Sequence, residues 1–190
     1  MKALNKPDTL SSERVYKGKI FDIRIDEIRE GDIEYRREIV VHKGSVVIIP
    51  VFADGTVALV RQYRHAAGKY LLEICAGTLN AGEDPEIGAR RELEEEIGVA
   101  AGKMEKLSEF YVSPGFLTEK MHLYLATELT ETSQNLEADE ILTVERHSLA
   151  SLLEMVKNGE IEDAKTIVGI TLAAAKGRAH DRPVANGERH

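Results

Sequence analysis

The chain has 190 residues, 43% hydrophobic and 31% charged, which fits one compact globular domain with a modest additional element. A formal net charge of −8 at pH 7, with no basic stretch, argues against general nucleic-acid binding. The single cysteine excludes an intrachain disulfide, and the chain lacks both an apolar N-terminal signal and a run long enough to cross a membrane, so we expect a soluble, cytoplasmic protein.

Residues 1–44 predict an N-terminal arm that contains a β-hairpin. Residues 1–15 are polar and are predicted to be irregular. The alternation of apolar and polar residues at 19–25, a turn at 30–32 and a return strand at 33–42 then predict the hairpin. The hairpin is expected either to pack on its own chain as a small antiparallel sheet or to pair with a second subunit.

Residues 45–180 predict an α/β domain in which helices cover a mixed sheet. Strands are expected at 45–52, 56–63, 70–75, 106–112 and 121–127, with an acidic polar loop at 130–140. Pro85 and Gly98 are typical of the start and the end of a helix at 85–97. Further helices are predicted at 149–157 and 163–176, followed by a frayed polar tail from residue 177.

The segment from Gly77 to Val99 is the one that predicts chemistry. On a helix, Glu92 lies three and four positions before Glu95 and Glu96, so all three carboxylates can face one side. Like charges at this spacing destabilise a helix, and a cation bound between them would reverse that effect. Hard oxygen ligands suit Mg²⁺ or Mn²⁺ and not zinc.

The same segment resembles the Nudix box at every fixed position. The pattern is Gly, five residues, Glu, seven residues, then Arg-Glu-aliphatic-any-Glu-Glu-any-Gly-aliphatic, and seven such identities would arise by chance about once in 10⁸. The resemblance implies an α/β/α sandwich with a mixed sheet. It also implies hydrolysis of a nucleoside diphosphate linked to another moiety. Carried over by position, it assigns the metal ligands to Glu92, Glu95, Glu96 and the carbonyl group of Ala76.

The segments flanking the box resemble the ADP-ribose pyrophosphatase branch of this family. Residues 61–64 are similar to its Gln-aromatic-Arg strand end, and residues 71–77 to its Glu-x-Pro-Ala-Gly segment, with Cys75 at the proline position. Residues 113–115 match its downstream Ser-Pro-Gly signature. The expected substrate is therefore ADP-ribose or a related nucleoside diphosphate sugar such as GDP-mannose, cleaved to a nucleoside monophosphate and a sugar phosphate.

The branch resemblance also suggests residues that contact the substrate. Arg37 and Arg64 are expected to donate to the diphosphate or the terminal ribose, with an ordinary surface arginine as the alternative for each. Glu73 is expected to contact a ribose hydroxyl or to support Arg64. Glu119 follows the Ser-Pro-Gly signature as it does in relatives and completes the predicted substrate contacts.

The catalytic base in this branch is a glutamate on the loop after the last central strand. In this sequence Glu140 is the first candidate and Glu137 the second, with a solvated acidic loop as the alternative for either. Glu95 is counted among the catalytic residues as well as the metal ligands.

Members of the branch are usually homodimers whose N-terminal sheets pack across the partner, and residues 16–43 are the candidate for that arm. Two other functions remain open. One is hydrolysis of a nucleoside triphosphate, a dinucleoside polyphosphate or a capped RNA end, against which the Ser-Pro-Gly signature argues. The other is an inactive ligand sensor, against which the intact set of box carboxylates argues.

Overall fold

The computed structural model describes residues 5–136, 138 and 140–180, the last four by their backbone alone. Within these residues the chain forms three β-sheets and three α-helices. The strands are β1 (Asp8–Lys17), β2 (Phe21–Glu30), β3 (Ile33–His42), β4 (Ser45–Pro50), β5 (Thr56–Arg64), β6 (Lys69–Glu73), β7 (Cys75–Thr78), β8 (Val99–Tyr111), β9 (Lys120–Glu131) and β10 (Leu142–Ser148). The helices are α1 (Pro85–Glu92), α2 (Leu149–Lys157) and α3 (Ala164–His180), and a π-helical turn (Leu93–Ile97) extends α1.

The N-terminal residues form an antiparallel sheet in the order β1-β2-β3. The hairpin of β2 and β3 confirms the predicted one, but residues 8–15 are part of strand β1, so the expectation that they are irregular was wrong. All ten residues of β1 are exposed and the strand pairs only with β2, so it lacks the alternating burial that reveals a strand in a sequence.

The centre of the molecule is a mixed sheet in the order β7-β4-β9-β8, in which β4 runs parallel to β9. Every residue of β4 is buried. Val46 and Ile48 point to one face and pack with Ala89 and Leu93 of the α1 region. The fold class predicted from the sequence, a mixed sheet covered by helices, is confirmed.

The opposite face of the central sheet is covered by a second layer. A three-stranded sheet in the order β10-β5-β6 and helices α2 and α3 supply this layer. Their buried residues pack with the other side chains of β4 and β9, in the cluster of Val47, Ile49, Val57, Leu59, Leu72, Ile74, Leu123, Leu152, Ile161, Ile170 and Ala173. The two layers hold the edge of β7 and the end of α1 in a fixed relation.

Other elements differ from those predicted: β8 begins at Val99 and not at residue 106, β9 runs to Glu131, and the backbone of α3 is helical to His180. Residues 142–148 form β10, which the sequence did not predict, and the expected strand at 70–75 is two strands, β6 and β7, in different sheets. The helix expected at 85–97 is α-helical only as far as Glu92 and then π-helical. The division into units at residues 1–44 and 45–180 stays a prediction.

None of the helices in the described part of the chain is long and apolar enough to span a membrane.

Candidate active site

Caps at both ends fix the helix that carries the acidic segment. At its start, the side chain of Asp84 accepts hydrogen bonds from the backbone N–H groups of Glu86 and Ile87. At its end, Gly98 has φ 74°, a left-handed conformation that residues with a side chain rarely adopt. The intervening π-helical turn carries Glu94 to Glu96, and such turns are frequent at functional sites.

The backbone of β7 passes against the carboxylate of Glu92. A Cβ atom built on Gly77 would lie 1.9–2.2 Å from the carboxylate atoms of Glu92, closer than any real contact. Only glycine at this position therefore leaves the Glu92 carboxylate where it lies against β7. The position of Glu92, the second fixed glutamate of the box, therefore requires a glycine at residue 77.

Arg91 links the loop before α1 to the carboxylates at its end. Its guanidinium donates from Nε and Nη2 to the two oxygens of Glu83, both at 3.0 Å. The third nitrogen, Nη1, donates to Glu92 at 2.7 Å and to Glu95 at 2.9 Å. The hydrogen bonds from Arg91 lower the pKa of Glu83 to about 2. Arg91 therefore clamps the loop before α1 to the helix, and it engages both Glu83 and Glu95.

Glu96 is a buried carboxylate, 3% exposed. It accepts hydrogen bonds from the backbone N–H of Ala76, at 3.1 Å, and from the thiol of Cys75. Burial raises the pKa of Glu96 to about 7, with smaller contributions from the charges of Glu92 and Glu140. Burial also raises the pKa of Glu92, although the hydrogen bond and charge of Arg91 oppose this shift. The ionised forms of Glu92 and Glu96 are therefore unfavourable unless a further positive charge lies nearby.

The carboxylates open onto a cavity of about 580 Å³. Its wall includes Glu140, the first candidate for the catalytic base, so the structure brings together the three box carboxylates, Ala76, Arg64 and one loop glutamate. Glu137 lies outside the described residues. The full lining is Lys19, Ile20, Lys43, Gln62, Arg64, Ala76, Gly77, Thr78, Leu79, Asn80, Arg91, Glu92, Glu95, Glu96 and Glu140.

The donor set at the floor of this cavity fits a divalent cation. It consists of carboxylate oxygens beside the backbone of β7, and such hard oxygen donors suit a divalent cation. Burial, together with neighbouring like charges, raises the pKa values of Glu92 and Glu96. In the described part of the chain, no three acidic, histidine or cysteine side chains are already closed into a metal cage. Arg91 holds Glu92 and Glu95 at hydrogen-bonding distance and supplies a positive charge at this position.

Arg64 enters the cavity from β5 and is held from behind by Glu73. Its Nε and Nη2 atoms donate to the two oxygens of Glu73 at 2.8 and 2.7 Å. Glu73 is only 1% exposed and also accepts a hydrogen bond from Lys165 of α3. Of the two roles expected for Glu73, this arrangement fits the support of Arg64 and leaves no open path to a ribose hydroxyl.

Two other predicted substrate contacts do not line this cavity. Arg37 pairs in register with Asp26 in the middle of the N-terminal sheet and lies 4.2 Å from the ring centroid of Tyr35. Glu119 accepts a hydrogen bond from the hydroxyl of Ser45 at 2.5 Å. The N-terminal sheet reaches the cavity at the end where β2 begins and β3 ends. Arg37 lies in the middle of β3 and is therefore too distant from the cavity to line it.

Sequence reasoning missed Lys19 and Lys43, which both line the cavity. Lys19 is the first residue of the predicted hairpin, and Lys43 follows its last residue. The pairing of Phe21 with His42 makes the residues just before β2 and just after β3 neighbours. The hairpin register together with the short link from β3 to β4 was the signal that could have found them.

Comparisons with known proteins agree with this geometry. The NUDIX domain model matches residues 41–168. The crystal structure of an ADP compounds hydrolase superposes with a TM-score of 0.85 at 23% identity, covering 96% of this chain and 100% of that one. The predicted Nudix fold is therefore confirmed, with the antiparallel sheet added at the N-terminus.

Three relatives are similar over most of the chain. An ADP-ribose pyrophosphatase of Bacillus subtilis is 38% identical over 90% of this chain and 93% of its own. A methanol dehydrogenase activator of Bacillus methanolicus is 36% identical over 90% and 94%. A GDP-mannose pyrophosphatase of Escherichia coli is 35% identical over 72% and 76%. With a family model that spans more than half of its residues and relatives of this similarity, the chain belongs to the Nudix family.

Proposed function

We propose that this protein hydrolyses the diphosphate bond of ADP-ribose or a related nucleoside diphosphate sugar and releases a nucleoside monophosphate and a sugar phosphate. The observation that carries the proposal is the cavity itself, in which three box glutamates, Glu140 and Arg64 face one space of about 580 Å³. The relatives that act on ADP-ribose and GDP-mannose support this class of substrate.

The proposed metal ligands are Glu92, Glu95, Glu96 and the backbone carbonyl of Ala76, and the proposed ion is Mg²⁺, or Mn²⁺ in its place. When bound, such an ion neutralises phosphate charge and makes a bound water more acidic. The chain contributes the geometry, because Gly77 and Arg91 hold Glu92 and Glu95 in place and the N–H of Ala76 orients Glu96.

Glu140 is the proposed base, since its side chain lines the same cavity and its charge acts on Glu92 and Glu96. Glu137 is kept as the second candidate. Arg64 is proposed to bind the diphosphate, because Glu73 takes two of its nitrogens and orients the rest of the guanidinium into the cavity. Glu73 then acts as a positioning residue and not as a substrate contact.

The protein is proposed to work as a homodimer in which the N-terminal sheet packs on a second copy. Strand β1 is exposed along its whole length and carries Leu10, Val15 and Tyr16 on its surface. A partner chain would cover these apolar groups. Arg37 is proposed to contact the substrate bound to the partner, because it lies outside the cavity of its own chain. The cytoplasmic location stays a prediction of the sequence.

A product analysis tests this function. Purified protein with Mg²⁺ is incubated with ADP-ribose, GDP-mannose, ATP and diadenosine polyphosphates, and products are separated by chromatography. We expect AMP and ribose 5-phosphate from ADP-ribose, and no product after addition of EDTA. Cleavage of only ATP or diadenosine polyphosphates would overturn the proposed substrate class, and tight binding without turnover of any compound would favour a ligand sensor.

A further inference from the structure

Four cationic side chains line the cavity, and they divide into two kinds. Arg91 is engaged by three carboxylates and Arg64 by one, through two hydrogen bonds. The other two are Lys19 and Lys43. Among the residues that the structure describes, neither ammonium group has a hydrogen-bond acceptor or an ion-pair partner.

Lys19 and Lys43 are both exposed and, within the described part of the chain, unpaired, in a protein with 33 acidic and 25 basic residues. Phe21 pairs with His42 where the chain turns from β1 into β2, and Lys19 and Lys43 line a common cavity at this end of the sheet. Both lysines therefore lie at one end of the N-terminal sheet, where like charges repel each other. An anion between them would make the same arrangement favourable.

The backbone that carries Lys43 is fixed against the active-site loop. The N–H of His42 donates to the hydroxyl of Thr118 at 2.9 Å, and the N–H of Gly44 donates to Nδ1 of His42 at 3.1 Å. The N–H of Leu79, in the cavity wall, donates to the carbonyl of Gly44 at 3.1 Å. The lysine is thus anchored at its backbone beside the cavity, while within the described residues its ammonium group is unpaired.

We propose that Lys19 and Lys43 form a cationic rim that binds the diphosphate of the substrate from the side opposite the box glutamates. This inference rests on the proposed function and names two binding residues for it. The floor of the cavity is acidic and repels a diphosphate, so cations are needed on the substrate's other side as well as at the metal position. Ammonium groups suit this role because they bind phosphate as mobile point charges.

Binding of inorganic pyrophosphate to the full chain with Mg²⁺, measured by calorimetry, tests the rim directly. We expect Lys19→Gln and Lys43→Gln each to weaken binding about threefold, and the double variant about tenfold, as for exposed charge-assisted contacts. Affinity in the double variant should also depend less on salt than in the unaltered chain. Lys43→Arg keeps the charge and is expected to bind within about twofold of the unaltered protein.

The matched control is Lys103→Gln, which makes the same charge change at an exposed residue of β8 that does not line the cavity. With ADP-ribose as substrate, the rim variants should raise KM and leave kcat nearly unchanged. Pyrophosphate binding by the double variant that equals that of Lys103→Gln would overturn the rim, whatever the turnover of ADP-ribose. Lysine-dependent pyrophosphate binding without turnover of any nucleotide sugar would support the rim and overturn the proposed function.

Discussion

At the scale of single residues, the site depends on the missing side chain of Gly77 as well as on its charged residues. Gly77 has no side chain, and the carboxylate of Glu92 occupies the space that a Cβ atom would need. The clamp of Arg91 then sets the directions of Glu83, Glu92 and Glu95. The site is therefore sensitive to changes that add or remove very few atoms.

Gly77→Ala should lower the turnover of ADP-ribose at least ~100-fold, because the new methyl group must push the Glu92 carboxylate away from its position and a displacement of ~1 Å is enough for such a loss. The readout is steady-state kinetics together with Mn²⁺ affinity. Gly115→Ala is the control, since its Cβ would meet no atom within 4 Å. Kinetics of Gly77→Ala close to those of the unaltered chain would show that the close approach is not needed.

The residues of the site were predictable to different degrees. Glu92, Glu95 and Glu96 are local in sequence, so their spacing on one helix was enough to group them. Glu140 reaches the same cavity from a distant loop and was found only by resemblance. Lys19 was missed because its position depends on how strands pair across the chain, which spacing along the sequence does not encode.

At the scale of elements, helix α3 is coupled to the site through charged groups. Lys165 and Arg64 both bind the buried carboxylate of Glu73, and the Thr166 hydroxyl accepts a hydrogen bond from the backbone N–H of Ile74. Burial alone would raise the pKa of Glu73, but the hydrogen bonds and charges of Arg64 and Lys165 outweigh it, so the net pKa is lowered. The packing of α3 thus helps to fix the position of Arg64, which lines the cavity.

Glu73→Gln should lower the free energy of unfolding by about 2–4 kcal/mol at pH 7, because it leaves two cations next to a neutral buried group. The folded pKa of Glu73 lies below its ordinary value of 4.5, so its contribution is complete above that value and is lost as the pH falls through the folded pKa. Urea unfolding at pH 7 and at about pH 3 measures this difference. A gap between the two proteins that stays constant at acidic pH would contradict the ion-pair account.

Elements with a periodic pattern of apolar residues were predictable from the sequence, and two strands without a buried residue were missed. Helix α2 has the predicted bounds and buries Leu152, and β3 has the predicted bounds because its apolar residues recur at nearly every second position, although none of them is fully buried. Strand β10 pairs with β5 but has no buried residue, and β1 is exposed throughout. Backbone pairing holds these two strands in their sheets, and the pattern of side chains does not reveal it.

At the scale of the whole molecule, the N-terminal sheet is joined to the rest mainly at one end. The N–H of Val40 donates to the carbonyl of Phe116 at 2.8 Å, and the N–H of Thr118 donates to the carbonyl of Val40 at 3.0 Å. The sheet also carries exposed apolar residues, among them Leu10 and Val15 of β1 and Ile33 of β3. These exposed apolar groups support the proposed packing on a second copy.

Light scattering coupled to size-exclusion chromatography should give a mass of two chains for the unaltered protein. Val15→Glu, at a residue that is 50% exposed on β1, should shift the mass towards one chain because it places a charge in the proposed interface. Ile87→Glu makes the same kind of change at a residue that is 63% exposed on α1 and should leave the mass unchanged. A single-chain mass for the unaltered protein would contradict the proposed dimer.

The most direct measurement compares ADP-ribose hydrolysis by the unaltered chain and by Glu96→Gln, with melting temperature as the check on folding. We expect AMP and ribose 5-phosphate from the unaltered chain with Mg²⁺. The variant should turn over at least ~100-fold more slowly at a similar melting temperature, because a charge is removed from the metal position. Near-normal turnover by Glu96→Gln would contradict the assignment of these carboxylates as the catalytic centre.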